Sequence, residues 1–89
     1  MSNPTAAQRR RFEKIASFGC IICGSPAELH HCRHECGMSQ RNHDHVAPLC
    51  DWHHRHSVLS RHSNPKDFAQ MYGDDRELTE KTKRLLGEI

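Results

Sequence analysis

Eighty-nine residues are enough for one domain, and an apolar fraction of 35% with a single Trp and a single Tyr makes a thin core. A core that thin calls for disulfides or a structural metal, and five Cys with nine His supply the donors. The net charge of +2 is a weak pointer to a polyanionic partner, and no apolar run reaches the roughly 18–20 residues of a membrane span.

Met1 to Pro4 reads as a short tail. Thr5 and Gln8 have the spacing of a capping box, which predicts a helix to about Ser17 with Phe12, Ile15 and Ala16 on one face and Gly19 as its stop. Met1 to Arg11 has no apolar signal core, so export is not expected and a cytoplasmic location is. Thiols there stay reduced, so paired Cys read as metal ligands, and the odd Cys count argues against a closed disulfide framework.

Cys20 to Gly24 reads as a tight turn, Ala27 to Cys32 as a short strand, and Arg33 to Asp44 as polar and irregular. His45 to Leu49 reads as a second strand whose Pro48 marks an edge or an end. Asp51 is the expected cap of a helix from Trp52 to about Leu59. Asn64 and Pro65 are the cap and first position of a short helix carrying Phe68, Met71 and Tyr72 and ended by Gly73. A last helix, about Asp75 to Leu86, is expected to be amphipathic through Leu78, Leu85, Leu86 and Ile89. The organisation is one domain over 1–89: an N-terminal helix in 1–18, a knuckle and core in 19–60, and C-terminal helices in 61–89.

Cys20-x2-Cys23 is followed, after 26 intervening residues, by Cys50-x2-His53. Two short-spaced pairs on two turns are what a tetrahedral Zn2+ requires, and three thiolates with one imidazole suit that ion. Four protein ligands leave no open position, so this site reads as structural. His30 and His31 are neighbours on a strand and point to opposite faces unless the strand bends. His54 follows His53 on a helix, where adjacent residues differ by about 100°, so it can face another site. With His43 and His45 nearby, these residues form a cage for a second ion with positions left for water and phosphate.

The run Cys20-Ile-Ile-Cys23, His30-His31, Pro48-Leu49-Cys50-x2-His53-His54 resembles the zinc-containing HNH (ββα-metal, His-Me finger) endonucleases. The stretch His53-His54-Arg55, His62-x-Asn64, Phe68-x3-Tyr72-Gly73 is similar to one branch, the phage recombination-enhancement (Ref-like) nucleases. The resemblance covers roughly Arg11 to Gly73. It implies an α+β fold, a small zinc-stabilised ββα-metal core flanked by N- and C-terminal helices. It implies DNA phosphodiester hydrolysis with His31 as general base and His30 and His54 as ligands of one divalent ion (Mg2+, Mn2+, Ni2+ or Zn2+), which stabilises the phosphate and leaving oxygen. The middle position of the motif is His45 when counted back nine residues from His54, as in colicin-like members, and His43 by the Ref-like pattern. His62 is a further metal ligand or a phosphate contact. Colicin-like members place a second helix His where this chain has Val58. The Ref-like branch also implies action on DNA held by a recombinase filament.

Arg33, Arg55 and Arg61 are the candidate DNA-backbone contacts, Arg55 and Arg61 because they flank the site, while Arg9 to Arg11 read as a solvated helix face and Arg41 is a weaker candidate. His34 and His56 are expected to be exposed or phosphate-contacting, Cys32 buried, Cys36 a free thiol, and Trp52 and Phe68 core. No aromatic stacking platform is visible, so cleavage with little sequence preference is expected. The competing function is a zinc-binding module that binds DNA or a protein partner without cutting. A disulfide-stapled secreted domain is a third reading, which predicts no metal.

Overall fold

The computed structural model describes residues 3–34 and 42–89. The expected roles of Cys36 and Arg41 lie outside them. The fold is α+β, running α1 (Ala6–Ser17), β1 (Glu28–His31), β2 (Val46–Leu49), a π-type helical turn (Trp52–His56), α2 (Pro65–Tyr72) and α3 (Asp75–Leu86). No helix among the described residues is long and apolar enough to cross a membrane.

The helix starts follow their caps. Thr5 and Gln8 form the reciprocal capping box of α1, Asn64 and Pro65 open α2, and Asp74 with Glu77 forms a second box on α3. The two strands are shorter than expected at their outer ends and pair antiparallel, with Glu28 opposite Leu49, Leu29 opposite Pro48, His30 opposite Ala47 and His31 opposite Val46. Every residue of β2 is buried, because α1 and α3 both pack on it. Pro48 has no amide to give, but its carbonyl accepts the Ile21 amide at 2.9 Å, which ties the Cys20–Cys23 knuckle to the sheet. Gly19 is required there: its φ is +77°, and a Cβ would lie 2.6 Å from the Gly24 carbonyl oxygen. The core gathers Cys20, Cys32, Ala47, Leu49, Cys50, Phe68 and Leu78.

Three expectations are corrected. The helix after β2 stops at His56 rather than Leu59, and Asp51 makes no side-chain cap; its carboxylate pairs with His56 instead. The stop has a backbone cause. The His53 and His54 carbonyls are taken by the amides of Arg61 and His62, at 2.8 and 2.9 Å, so the next helical turn has no acceptors. Trp52 is 64% exposed rather than core, while Phe68 is fully buried. In α3 the buried face is Asp75, Leu78, Thr79 and Thr82, whereas Leu85 and Ile89 are exposed. Thr79 and Thr82 donate their hydroxyls to the Asp75 and Leu78 carbonyls, both at 2.8 Å, which lets polar residues line an apolar interface.

Candidate metal centres

Cys20, Cys23, Cys50 and His53 converge, with their ligand atoms all within 4.8 Å of one another. The knuckle closes through the Gly24 amide on the Cys20 carbonyl at 2.8 Å, and the Ile22 amide points at the Cys20 sulfur from 3.4 Å. Cys23 Sγ lies 3.7 Å from Cys50 Sγ, and His53 Nδ1 lies 3.2 Å from Cys50 Sγ and 3.8 Å from Cys20 Sγ. A tetrahedral ion with bonds of about 2.3 Å to sulfur and 2.0–2.1 Å to nitrogen places its donors about 3.5–3.8 Å apart. The cluster fits Zn2+.

Hydrogen bonding from the Ser25 hydroxyl and amide brings the Cys23 thiol down to about 6. Burial pushes the Cys50 thiol up. A dication lying between the sulfurs would let all of them ionise together.

The second cluster is His30, His54 and His62, again with ligand atoms within 4.8 Å. His54 Nε2 and His62 Nε2 face each other at 2.9 Å. That is hydrogen-bond distance, somewhat shorter than the roughly 3.4 Å between two nitrogens on a tetrahedral ion, and the three rings could hold a cation. His62 reaches His54 because the Ser57–Ser60 segment loops out and the two backbone bonds from 61 and 62 zip the chain back onto 53 and 54. Val58, at the position where colicin-like proteins carry a His, is 83% exposed.

Each of two clustered histidines is held by a carboxylate that sequence reading missed. Glu28 Oε1 lies 2.7 Å from His54 Nδ1, and the same carboxylate accepts both arms of Arg55 at 2.8–2.9 Å. Asp75 Oδ1 lies 3.0 Å from His30 Nε2, and this carboxylate accepts Arg61 through Nε and an Nη at 2.8 and 2.9 Å and the Arg33 amide at 2.8 Å. The pattern repeats: one carboxylate, one histidine, one arginine that directly follows or precedes a clustered histidine in sequence. Hydrogen bonding with Arg55 lowers the Glu28 carboxyl against a smaller opposing effect of burial. Burial raises the Asp75 carboxyl, but its bonds with His30, Arg61 and the Arg33 amide outweigh that and hold it far below the carboxylate range. Burial also lowers His54 and His62 below the ordinary histidine value, which favours the neutral form that a metal ligand needs.

His31 ends β1 half-buried, with Nε2 3.2 Å from His43 Nδ1 and both rings against the edge of Phe12 at 5.9 Å. His45 instead stacks on His34, with centroids 4.6 Å apart. An open pocket of about 500 Å³ is lined by His30, His31, His54, His62, Arg33 and Arg55. The two neighbouring histidines of β1 therefore meet one cavity, His30 from its buried floor and His31 from the strand end. Arg55 and Arg61 are ion-paired with Glu28 and Asp75, and Arg33 keeps an exposed side chain. His56 is exposed beside Asp51, and Cys32 is fully buried. No family model and no curated protein matches this chain.

Proposed function

We propose that the chain is a metal-dependent endonuclease of the HNH, ββα-metal class, hydrolysing DNA phosphodiester bonds. The observation that carries this reading is that His31 opens on the same pocket as the His30, His54 and His62 cluster. Cutting needs a base beside an ion site with open positions, and three imidazoles leave such positions. The order of β1, β2 and the helical turn that follows is compatible with a ββα arrangement.

In this reading His31 takes the proton of a water that attacks the scissile phosphorus, and the bond to the leaving oxygen breaks. If His31 donates Nε2–H to His43, its basic nitrogen is Nδ1; His43 then fills the middle position of the motif and fixes the ring of the base. His30, His54 and His62 would hold the ion, which when bound supplies positive charge at the phosphate and leaving oxygen. An all-imidazole donor set favours Ni2+ or Zn2+ over Mg2+ and Mn2+, which prefer oxygen. Arg33 lines the same pocket and is assigned to the DNA backbone. Action on DNA in a recombinase filament rests on the Ref-like resemblance alone.

A plasmid-nicking assay with each of the four ions tests the proposal. Wild type should nick and His31→Ala should not; equal inactivity of both under every ion sinks it. The competing reading, a zinc module that binds without cutting, needs only Cys20, Cys23, Cys50 and His53 and gives the histidine pocket no use.

A further inference from the structure

We infer that Asp75 is a positioning residue of the histidine cluster, fixing the tautomer of His30 directly and seating His62 through Arg61. This rests on the reading that His30, His54 and His62 hold a metal ion. Asp75 is carried by the first turn of α3, outside the strands and turn that bear the ligands, and it lies 45 residues from His30. It is 7% exposed, and its two oxygens meet four donors: His30 Nε2, the Arg33 amide, and Nε and an Nη of Arg61.

An ionised carboxylate only accepts hydrogen bonds, so a neutral His30 must carry its proton on Nε2 and present the Nδ1 lone pair as the ligand. The opposite tautomer would set two lone pairs against each other in a buried site. The second arm of the device is Arg61. It is held by both Asp75 oxygens, its own amide is bonded to the His53 carbonyl at 2.8 Å, and the next residue is His62. One carboxylate thus indexes two of the three imidazoles to each other from a helix that carries none of them. Glu28 does the corresponding work for His54, which completes the orientation of the set.

The test uses the full chain with zinc already in the cysteine cluster, titrated with Co2+ alone and followed by visible absorption and calorimetry. Wild type should take up one further ion. Asp75→Asn should bind it about 10–100-fold more weakly, while zinc content and the melting transition show that the fold is kept. Long-range 1H–15N spectra of ion-free-pocket wild type at mildly alkaline pH give a second readout that needs no variant. His30 should be protonated on Nε2, and protonation on Nδ1 overturns the inference even if Asp75→Asn fails to fold. Wild-type uptake with unchanged affinity in Asp75→Asn also overturns it and leaves the nuclease reading standing. No uptake by wild type overturns the metal centre and the role of Asp75 together.

Discussion

His53 and His54 are joined by one peptide bond yet serve different clusters, and the chemistry of each follows from its second nitrogen. His53 turns Nδ1 to the sulfurs of Cys20 and Cys50, and His54 turns Nδ1 to Glu28 and Nε2 to His62. The same discrimination separates His43 from His45. Two residues apart in sequence, one touches His31 and the other lies on His34. His43→Ala is expected to lower nicking by roughly ten- to a hundredfold, and His45→Ala to leave it within about threefold, by the standard that side chains away from the reacting groups add little. The reverse order in a single-turnover assay would move the middle position of the motif to His45. At this scale the Cys/His donors were legible because their spacing is local. Glu28 and Asp75 were not, because their partners lie 26 and 45 residues away and nothing in either neighbourhood marks a carboxylate as buried.

The helix caps and turns could be read from short patterns, and α1 and α2 keep their expected limits. Faces were harder. The pattern in α3 weights Leu85 and Ile89, but docking on β2 buries Asp75, Leu78, Thr79 and Thr82. A carboxylate satisfied by His30 and Arg61, and threonines bonded to their own helix, have lost the polar character that hydropathy assigns them. The turn after β2 was misread for a related reason: its length is set by amides arriving from 61 and 62, and no local propensity encodes that competition. At this scale the Asp74 cap matters beyond α3 itself, since it fixes the first turn that delivers Asp75. Asp74→Ala should cost about 1 kcal/mol in urea unfolding. It should also weaken ion uptake in the pocket, and an unchanged midpoint would remove the cap from this account.

For the whole molecule, the core is thin, and the cysteine cluster ties the Cys20–Cys23 knuckle to Cys50 and His53 after β2. A strong chelator should therefore abolish the cooperative thermal transition, and re-addition of Zn2+ should restore it; a melt unaffected by chelation would show that packing alone suffices. The ends are also tied, by Arg11 on Glu88 at 2.9 Å. Hydrogen bonding with Arg11 holds the Glu88 carboxyl below its ordinary value, with burial a smaller opposing effect. A depressed carboxyl contributes stability above its unfolded pKa and loses it as pH falls through the folded one. Glu88 is 40% exposed, so the contribution is about 0.5 kcal/mol. Wild type should exceed Glu88→Gln by that amount at neutral pH and converge with it in acid; a gap that stays constant with pH would assign the difference to packing.

The shared peptide between His53 and His54 makes the staple and the pocket mechanically one object. A larger, softer ion such as Cd2+ in the cysteine cluster lengthens its bonds to sulfur, and the displacement passes through a single residue into the nitrogen that faces His62. Under the proposed function, the scaffold ion would be a tuning element for chemistry it never touches. Cadmium-exchanged protein should retain its helical signal while its nicking rate departs from that of the zinc form, and identical rates would show the turn absorbing the strain before it reaches His54.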